Sequence, residues 1–299
     1  MAQNWGACVK SEYSAAFGIY NALAWPAVPV FVMISGSLFL SRNIPVKKLY
    51  FKYIFRVAAA FVFWSGVYAV RSYLKEGSLF SAWELFVIGN YHLWFLPMII
   101  GLYMIVPFMK RIADSEVLTK YFLVLSLIFA FVLPQASGAI MHFSERLGML
   151  AERFINNFFM FFVMGYSGYF LLGCVLDRSN ISPVLERCIY AAGFIGLCIS
   201  SVLPSGRISV NMLCESAAVF VFFRKHFSRS VKAVRLLARY SFGAYLVHVA
   251  VLNAAVRYLP FLKVNPVWGI PFTAAVVFII SMAISAVLNA LPILNKYIA

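Results

Sequence analysis

Long, nearly uninterrupted apolar segments constrain the fold of this chain more than any other feature. Of 299 residues, 63% are hydrophobic and only 12% are charged, whereas a soluble domain has roughly 45–50% apolar and 25% charged residues. In lipid, only helices or closed barrels satisfy every backbone polar group. Because the apolar runs do not alternate every second residue, as barrel strands do, they predict an all-α, polytopic transmembrane helix bundle.

Charged residues and Pro or Gly clusters divide the apolar sequence into about nine candidate spans. The predicted spans are Tyr20–Leu40, Tyr50–Tyr73, His92–Met109, Tyr121–Met141, Phe154–Leu176, Cys188–Leu203, Ile208–Phe223, Tyr240–Leu259 and Val267–Ala290. No internal repeat, low-complexity tail or soluble domain accompanies them. Residues 1–299 are therefore expected to form a single transmembrane domain, with any chemistry inside the bundle or at its rim.

The basic residues set the expected orientation. A formal charge of +15 would suggest nucleic acid for a soluble protein, but Lys and Arg accumulate in the cytoplasmic loops of membrane proteins. Membrane lipid, and not nucleic acid, is the expected partner. About two thirds of the basic residues fall in one set of alternate loops, which predicts a cytoplasmic C-terminus and, with nine spans, a periplasmic N-terminus. Because Met1–Ser14 has no signal-like segment, we expect a further upstream helix that this sequence lacks.

Metal and nucleotide sites are not predicted. The five cysteines show no CxxC or other ligand spacing, and no two His or Cys residues are spaced as metal ligands. GxSxG, Walker A and dinucleotide fingerprints are absent from the sequence. We therefore expect buried thiols, no metal and no permanently bound cofactor.

Four segments, in order, carry a family resemblance. They are VPVFVMISGSLFLSR (Val28–Arg42), HLWFLPMIIGLYMIVPFM (His92–Met109), GYFLLGCVL (Gly168–Leu176) and SFGAYLVHVAVL (Ser241–Leu252). Together they resemble the acyltransferase 3 family of bacterial inner-membrane acyltransferases, and the short loops are similar to those of the enterobacterial common antigen O-acetyltransferase group. The resemblance implies a ten-helix O-acyltransferase, most simply an O-acetyltransferase. Acetyl-CoA in the cytoplasm would be the donor, and a hydroxyl of a cell-envelope glycan or lipid-linked sugar would be the acceptor.

The resemblance also implies a helix before Val28 that carries a basic residue and a catalytic His. This sequence has neither a His nor an apolar span upstream of that position, so the helix expected from topology and the helix implied by the family are the same. One alternative is therefore an inactive, truncated acyltransferase. The other is a glycan-precursor transporter or flippase, which would more often show two similar halves.

A cationic cluster is the predicted donor site, because the phosphates of coenzyme A require positive charge. Lys47, Lys48, Lys52 and Arg56 are the candidates. The last three recur at i, i+4 and i+8 and would share one face of an α-helix. The alternative is an ordinary positive-inside segment anchored to anionic lipid.

Two ionisable residues are candidates for catalysis, which needs a base for the acceptor hydroxyl. His248 is predicted near mid-membrane, and the alternative is a hydrogen-bonded residue of the bundle interior. Glu215 is the acidic residue placed deepest within a span. It is expected to orient a substrate hydroxyl or to pair with a basic group.

Four further residues are predicted to contact substrate. His92 and Trp94 begin a span at the outer face and are expected to bind the acceptor, with interfacial anchoring as the alternative. Asn156 lies at an outer helix end and is predicted to contribute to the same site. Ser35 either lines an acyl channel or, with Gly36, permits close helix packing.

Overall fold

The computed structural model describes residues 13–158, 160–203, 206, 208–227, 231–258 and 265–291, and within them the chain forms helices and no β-strand. The helices are α1 Ser14–Leu40, α2 Val46–Glu76, α3 Leu79–Ile88, α4 Phe95–Met104, α5 Val106–Ala113, α6 Glu116–Phe143, α7 Glu145–Asn156, α8 Met160–Arg178, α9 Pro183–Val202, α10 Val210–His226, α11 Lys232–Tyr258 and α12 Pro266–Ala290. The expectations for both chain termini fall on residues 1–12 and 292–299, which lie outside the described residues.

Within the described part of the chain, five helices (α1, α2, α6, α9 and α12) are long and apolar enough to cross a membrane. A sixth span results if α4 and α5 are counted as one broken span. Each of the five coincides with a predicted span, so the all-α membrane class is confirmed, whereas the count of about nine is not. The predicted span His92–Met109 is broken at Ile105 because Pro107, in the first turn of α5, has no N–H to continue a helix.

Two long helices contain π-helical turns, over Leu49–Ile54 in α2 and Leu127–Val132 in α6. The first of these turns includes Lys52 and follows Lys48 directly. Because a π-helix bonds i to i+5, its residues are not spaced around the axis as in an α-helix. The prediction that Lys48, Lys52 and Arg56 share a face by α-helical spacing therefore assumed the wrong helix type.

Polar side chains begin many of the helices. The side chain of the N-cap residue accepts a hydrogen bond from a backbone N–H of the first turn, which would otherwise lack a partner. These N-cap residues are Ser78, Ser115, Ser144, Ser182, Ser209 and Asn265. The helix starts are thus set by local sequence and not only by hydropathy.

Contacts within the chain divide it into two compact units. The glutamate unit, which we name for Glu215, comprises Ser14–Ile44 and Ile105–Ser228. The histidine unit, named for His92 and His248, comprises Pro45–Met104 and helices α11 and α12. A single transmembrane domain stays a prediction, and each unit is described by itself.

Glycines bring the backbones of α1 and α8 together in the glutamate unit. A Cβ atom on Gly36 would lie 1.7 Å from the Phe170 carbonyl oxygen, and one on Gly173 would lie 2.1 Å from the Met33 carbonyl oxygen. Neither position can therefore hold a larger residue without moving a helix. Small residues allow such close packing where lipid provides no hydrophobic drive between helices.

Two arginines bind carbonyl oxygens at helix C-termini in the glutamate unit. Arg178 donates to the Leu40 oxygen at 2.5 Å and to the Ala113 oxygen at 3.0 Å, at the ends of α1 and α5. Arg224 donates to the Ser179 oxygen at 3.0 Å, just after α8. Guanidinium groups in these positions satisfy carbonyls without an intrahelical partner and complement the negative end of the helix dipole.

The histidine unit is built where α11 packs against α2 and α12. Trp64 and Tyr68 of α2 form a buried core with Leu246 of α11. On the other side of α11, the Ser285 hydroxyl donates to the Tyr240 carbonyl oxygen at 2.8 Å. A Cβ on Gly243 would lie 2.3 Å from the Ser285 Oγ, so α11 and α12 are also in close contact.

Candidate active site

Two histidine rings meet inside the histidine unit. His92 lies in the turn between α3 and α4, and His248 lies on α11. Their ring centroids are 5.1 Å apart, with the planes at 84°. The turn follows Gly89, whose φ of +83° is a conformation that residues other than Gly seldom adopt. A glycine and a local turn therefore position one histidine, and a long helix positions the other.

Backbone carbonyls assign the tautomers of the two rings. His92 Nε2 lies 3.4 Å from the Leu246 carbonyl oxygen, and His248 Nδ1 contacts the Tyr245 carbonyl oxygen. Because a carbonyl can only accept, each of these nitrogens must carry the proton in the neutral ring. We therefore assign His92 Nδ1 and His248 Nε2 as the two nitrogens that can accept a proton or a hydrogen bond.

The His92 side chain is enclosed by aromatic rings. Its exposed fraction is 7%, and the centroids of Tyr68, Tyr91 and Tyr245 lie 5.1, 5.7 and 5.9 Å from its own. His92 is therefore buried, and its predicted role in binding the acceptor stays a prediction. Trp94 is half-buried, with its ring 6.4 Å from Phe95.

The electrostatic setting favours neutral rings. The pair is bordered by a buried apolar cluster that includes Leu93, Leu96 and Val247, and charges are costly in such low-dielectric surroundings. Two positive imidazolium rings at this separation would also repel each other strongly. A neutral histidine that retains an accepting nitrogen is suited to general-base chemistry.

The predicted cationic cluster belongs to the same unit. Lys47, Lys48, Lys52 and Arg56 are all exposed, at the start of α2. The Arg56 guanidinium lies 5.8 Å from the ring centroid of Phe242, six residues before His248 on α11. Arg56 of the cationic cluster therefore lies beside α11, the helix that carries His248.

Glu215 lies in the other unit and does not form the ion pair that was one of its expected roles. It is 3% exposed, and its Oε1 accepts from the Ser200 hydroxyl at 2.5 Å. Its Oε2 has no hydrogen-bond partner among the described residues, and no ion pair to it is found there. Its neighbour Asn211 accepts from Gln135 Nε2 at 3.4 Å. One carboxyl oxygen of Glu215 is therefore held by a serine hydroxyl, one turn of α10 away from an amide pair.

The remaining predicted residues are also in the glutamate unit. Ser35 is half-buried on α1 and Asn156 is exposed at the end of α7, so the two units divide the predicted acceptor residues. The described part of the chain shows no cluster of three His, Cys, Asp or Glu side chains suited to a metal ion.

The glutamate unit contains a groove that the sequence did not predict. Its volume is about 600 Å³, and most of its lining residues are apolar. Its polar wall is formed by Ser37, Asp177 and Arg224, and Ser35 is not among the lining residues. The Ser37 hydroxyl donates to Asp177 Oδ2 at 2.6 Å. Ser37 belongs to the same Ser-Gly-Ser sequence as Ser35, and the predicted role of Ser35 stays a prediction.

The fold and this geometry define a membrane-embedded helical protein with a pair of histidine rings in contact. A family model described as an acyltransferase domain, Acyl_transf_3, matches residues 9–288, and the chain belongs to this family. No curated protein and no solved structure gives a significant match. The predicted family and the membrane acyltransferase class are therefore confirmed, while the resemblance to one O-acetyltransferase group stays a prediction.

Proposed function

We propose that the protein is an O-acetyltransferase of the bacterial inner membrane. It would transfer the acetyl group of cytoplasmic acetyl-CoA to a hydroxyl of a cell-envelope glycan or lipid-linked sugar. The observation that carries this proposal is the contact of His248 Nδ1 with the Tyr245 carbonyl oxygen, because a proton held on Nδ1 leaves Nε2 as a base. The same unit presents four exposed cations for a polyanionic donor.

The cationic cluster is the proposed donor site. Lys47, Lys48, Lys52 and Arg56 project exposed charges from one helix start, and ammonium and guanidinium groups form charge-assisted hydrogen bonds to phosphate oxygens. The excess of basic loops on this side of the membrane supports a cytoplasmic location. The same count supports a cytoplasmic C-terminus.

The transfer step is ordinary acyl chemistry. His248 Nε2 takes the proton of the acceptor hydroxyl as its oxygen attacks the thioester carbonyl carbon. The C–O bond forms, the tetrahedral intermediate collapses and the C–S bond breaks. The imidazolium then returns the proton to the departing thiolate, which gives an acetyl ester and free coenzyme A. The transfer step as proposed uses none of Ser35, Asn156 and Glu215, whose predicted roles stay predictions.

Binding of acetyl-CoA to the purified full chain tests the donor site. Replacing Lys48, Lys52 and Arg56 together by Ala removes three exposed cations. Calorimetry should then show an affinity for acetyl-CoA weakened about tenfold or more, which is a loss of at least about 1.4 kcal/mol of binding free energy. The matched control replaces Arg111, Lys120 and Arg187, three exposed cations of the glutamate unit, and should bind normally. Equal affinities for both triple variants, each with an unchanged melting temperature, would remove the donor site from the proposal.

A further inference from the structure

The histidine pair offers two hydrogen-bond acceptors, and the part of the chain that the structure describes shows no donor to the His92 acceptor. Tyr68 and Tyr245 are two of the three tyrosines beside His92, and their hydroxyls are already engaged. The Tyr68 hydroxyl donates to the Leu246 carbonyl oxygen at 2.9 Å, and the Tyr245 hydroxyl donates to the carbonyl oxygen of His92. Neither tyrosine can therefore supply a proton to a ring nitrogen without breaking an existing hydrogen bond.

One of the two acceptors is buried and unpartnered. His92 Nδ1 has no hydrogen-bond partner among the described residues, in a side chain that is more than nine-tenths buried. Such a group loses its bonds to water and receives no replacement, which is unfavourable. A ligand that brings an O–H group to this nitrogen would recover that loss.

The second acceptor is close by and more accessible. His248 is half-buried, and its ring centroid is 5.1 Å from that of His92. Because the two rings are this close, one ligand with hydroxyl groups on neighbouring carbon atoms could donate to both of them. An ammonium group could also donate twice, but it would have to be desolvated here, and no carboxylate of the described residues contacts either ring.

We propose that His92 Nδ1 and His248 Nε2 together bind a vicinal diol of a sugar, with the reacting hydroxyl on His248 and its neighbour on His92. The reacting role of His248 rests on the proposed function, whereas the diol site rests on the two tautomers. His92 is a binding residue that selects acceptors with a second hydroxyl beside the one acylated. Tyr91, with 62% of its surface exposed and its ring 5.7 Å from His92, offers an apolar face for the sugar ring.

Ring ¹⁵N spectra test the site without any need for activity. The full chain has four histidines, so ¹⁵N-histidine labelling of a His142→Gln/His226→Gln background leaves only the pair. The spectrum should show opposite neutral tautomers, with the proton on Nε2 of His92 and on Nδ1 of His248. Methyl glycosides of glucose, galactose and mannose are the probes, and at least one should shift both accepting nitrogens. Identical tautomers, or no shift with any of the three, would overturn the proposal.

A substrate-deletion cycle separates diol binding from a purely structural role. For a glycoside that is acetylated, His92→Phe should lower kcat/KM roughly 10- to 100-fold, because an intended hydrogen bond is lost. With the matching deoxy glycoside, which lacks the neighbouring hydroxyl, His92→Phe should have nearly the same kcat/KM as the unmodified protein. His92→Asn, which keeps an acceptor near the Nδ1 position, should restore part of the rate. His142→Phe, at an exposed position, is the control.

The outcomes distinguish this proposal from the proposed function. Equal losses on the parent and deoxy glycosides would show that His92 only supports the fold, even if acetyl transfer is normal. Loss of acetyl-CoA binding or thiol release with every acceptor would remove the acetyltransferase, while glycoside-induced ¹⁵N shifts would still support the diol site. Shifts without selectivity for the diol would leave a site for a single hydroxyl and contradict the inference.

Discussion

The two units use their polar groups in different ways. In the glutamate unit, Arg178 and Arg224 hold helix C-termini, and Ser37 binds Asp177. In the histidine unit, tyrosine hydroxyls hold backbone carbonyls and leave two imidazole nitrogens to accept. Polar groups that donate to backbone carbonyls stabilise a helix bundle. Buried acceptors without a donor indicate instead a place where a ligand can bind. Glu215 Oε2 is an exception in the glutamate unit.

The largest stability effect should come from the glycine contact of the glutamate unit. Gly36→Ala would place a methyl group 1.7 Å from the Phe170 oxygen, so α1 and α8 must separate. We expect a loss of about 2–4 kcal/mol in the free energy of unfolding in detergent. Gly138→Ala, also on a helix of this unit but with nothing within 4 Å, is the control and should be neutral or slightly stabilising. Comparable stability of the two variants would contradict the proposed close contact.

A smaller effect should follow from removal of the hydroxyl beside Glu215. Ser200→Ala deprives a buried carboxyl oxygen of its donor and should cost about 1–3 kcal/mol of stability, measured by detergent unfolding. Ser201→Ala removes an exposed hydroxyl that donates to the Cys198 carbonyl oxygen within the same helix, and it should change stability by less than about 0.5 kcal/mol. Acetyl-CoA binding should be unaffected by either substitution. A loss of binding in Ser200→Ala alone would extend the functional site into the glutamate unit.

The smallest effect concerns an exposed ion pair after α5. The hydrogen bond from Lys110, 2.6 Å from Asp114 Oδ1, lowers the pKa of the Asp114 carboxyl, with a further contribution from Arg178. Because the folded pKa is depressed, this stabilisation is present above the ordinary carboxyl pKa and is lost as pH falls through the lowered value. Asp114→Asn should cost less than about 1 kcal/mol at neutral pH.

Unfolding curves of Asp114→Asn and the unmodified protein at several pH values measure this contribution. The difference between them should shrink as the pH is lowered through the acidic range. A difference that grows on acidification would have the wrong sign for an ionised Asp114 in the folded protein.

Hydropathy predicted the parts of the fold that depend on composition along one segment. For example, the span predicted over Tyr121–Met141 agrees with α6. An apolar run of this length has few other conformations available in lipid. The break at Ile105 was not predicted, although the sequence contains Pro107. The apolar run around this proline favoured one continuous span. The π-helical turn around Lys52 left no recognised signal in the sequence.

The candidate site was only partly predictable for a related reason. His92 and His248 were each selected as polar residues in apolar surroundings, but they are more than 150 residues apart, and one sequence does not reveal which helices meet. Their tautomers depend on contacts with the Leu246 and Tyr245 carbonyl oxygens. Every residue has a backbone carbonyl, so the sequence does not show which of them a histidine contacts. The assignment of Ser35 failed to anticipate that Ser37 lines the groove.

In the proposed function, acyl transfer depends on His248 Nε2, and the rate at which the His248→Asn protein transfers acetyl from acetyl-CoA measures this dependence. The Asn side chain can still donate to the Tyr245 oxygen but has no basic nitrogen at the Nε2 position. His226→Asn is the matched control, because His226 Nδ1 bonds the Phe222 oxygen at 3.1 Å in the glutamate unit. We predict a rate reduced roughly a hundredfold to ten-thousandfold for His248→Asn, with an unchanged melting temperature and a normal rate for His226→Asn. A folded His248→Asn protein that transfers acetyl at the unmodified rate would contradict the account.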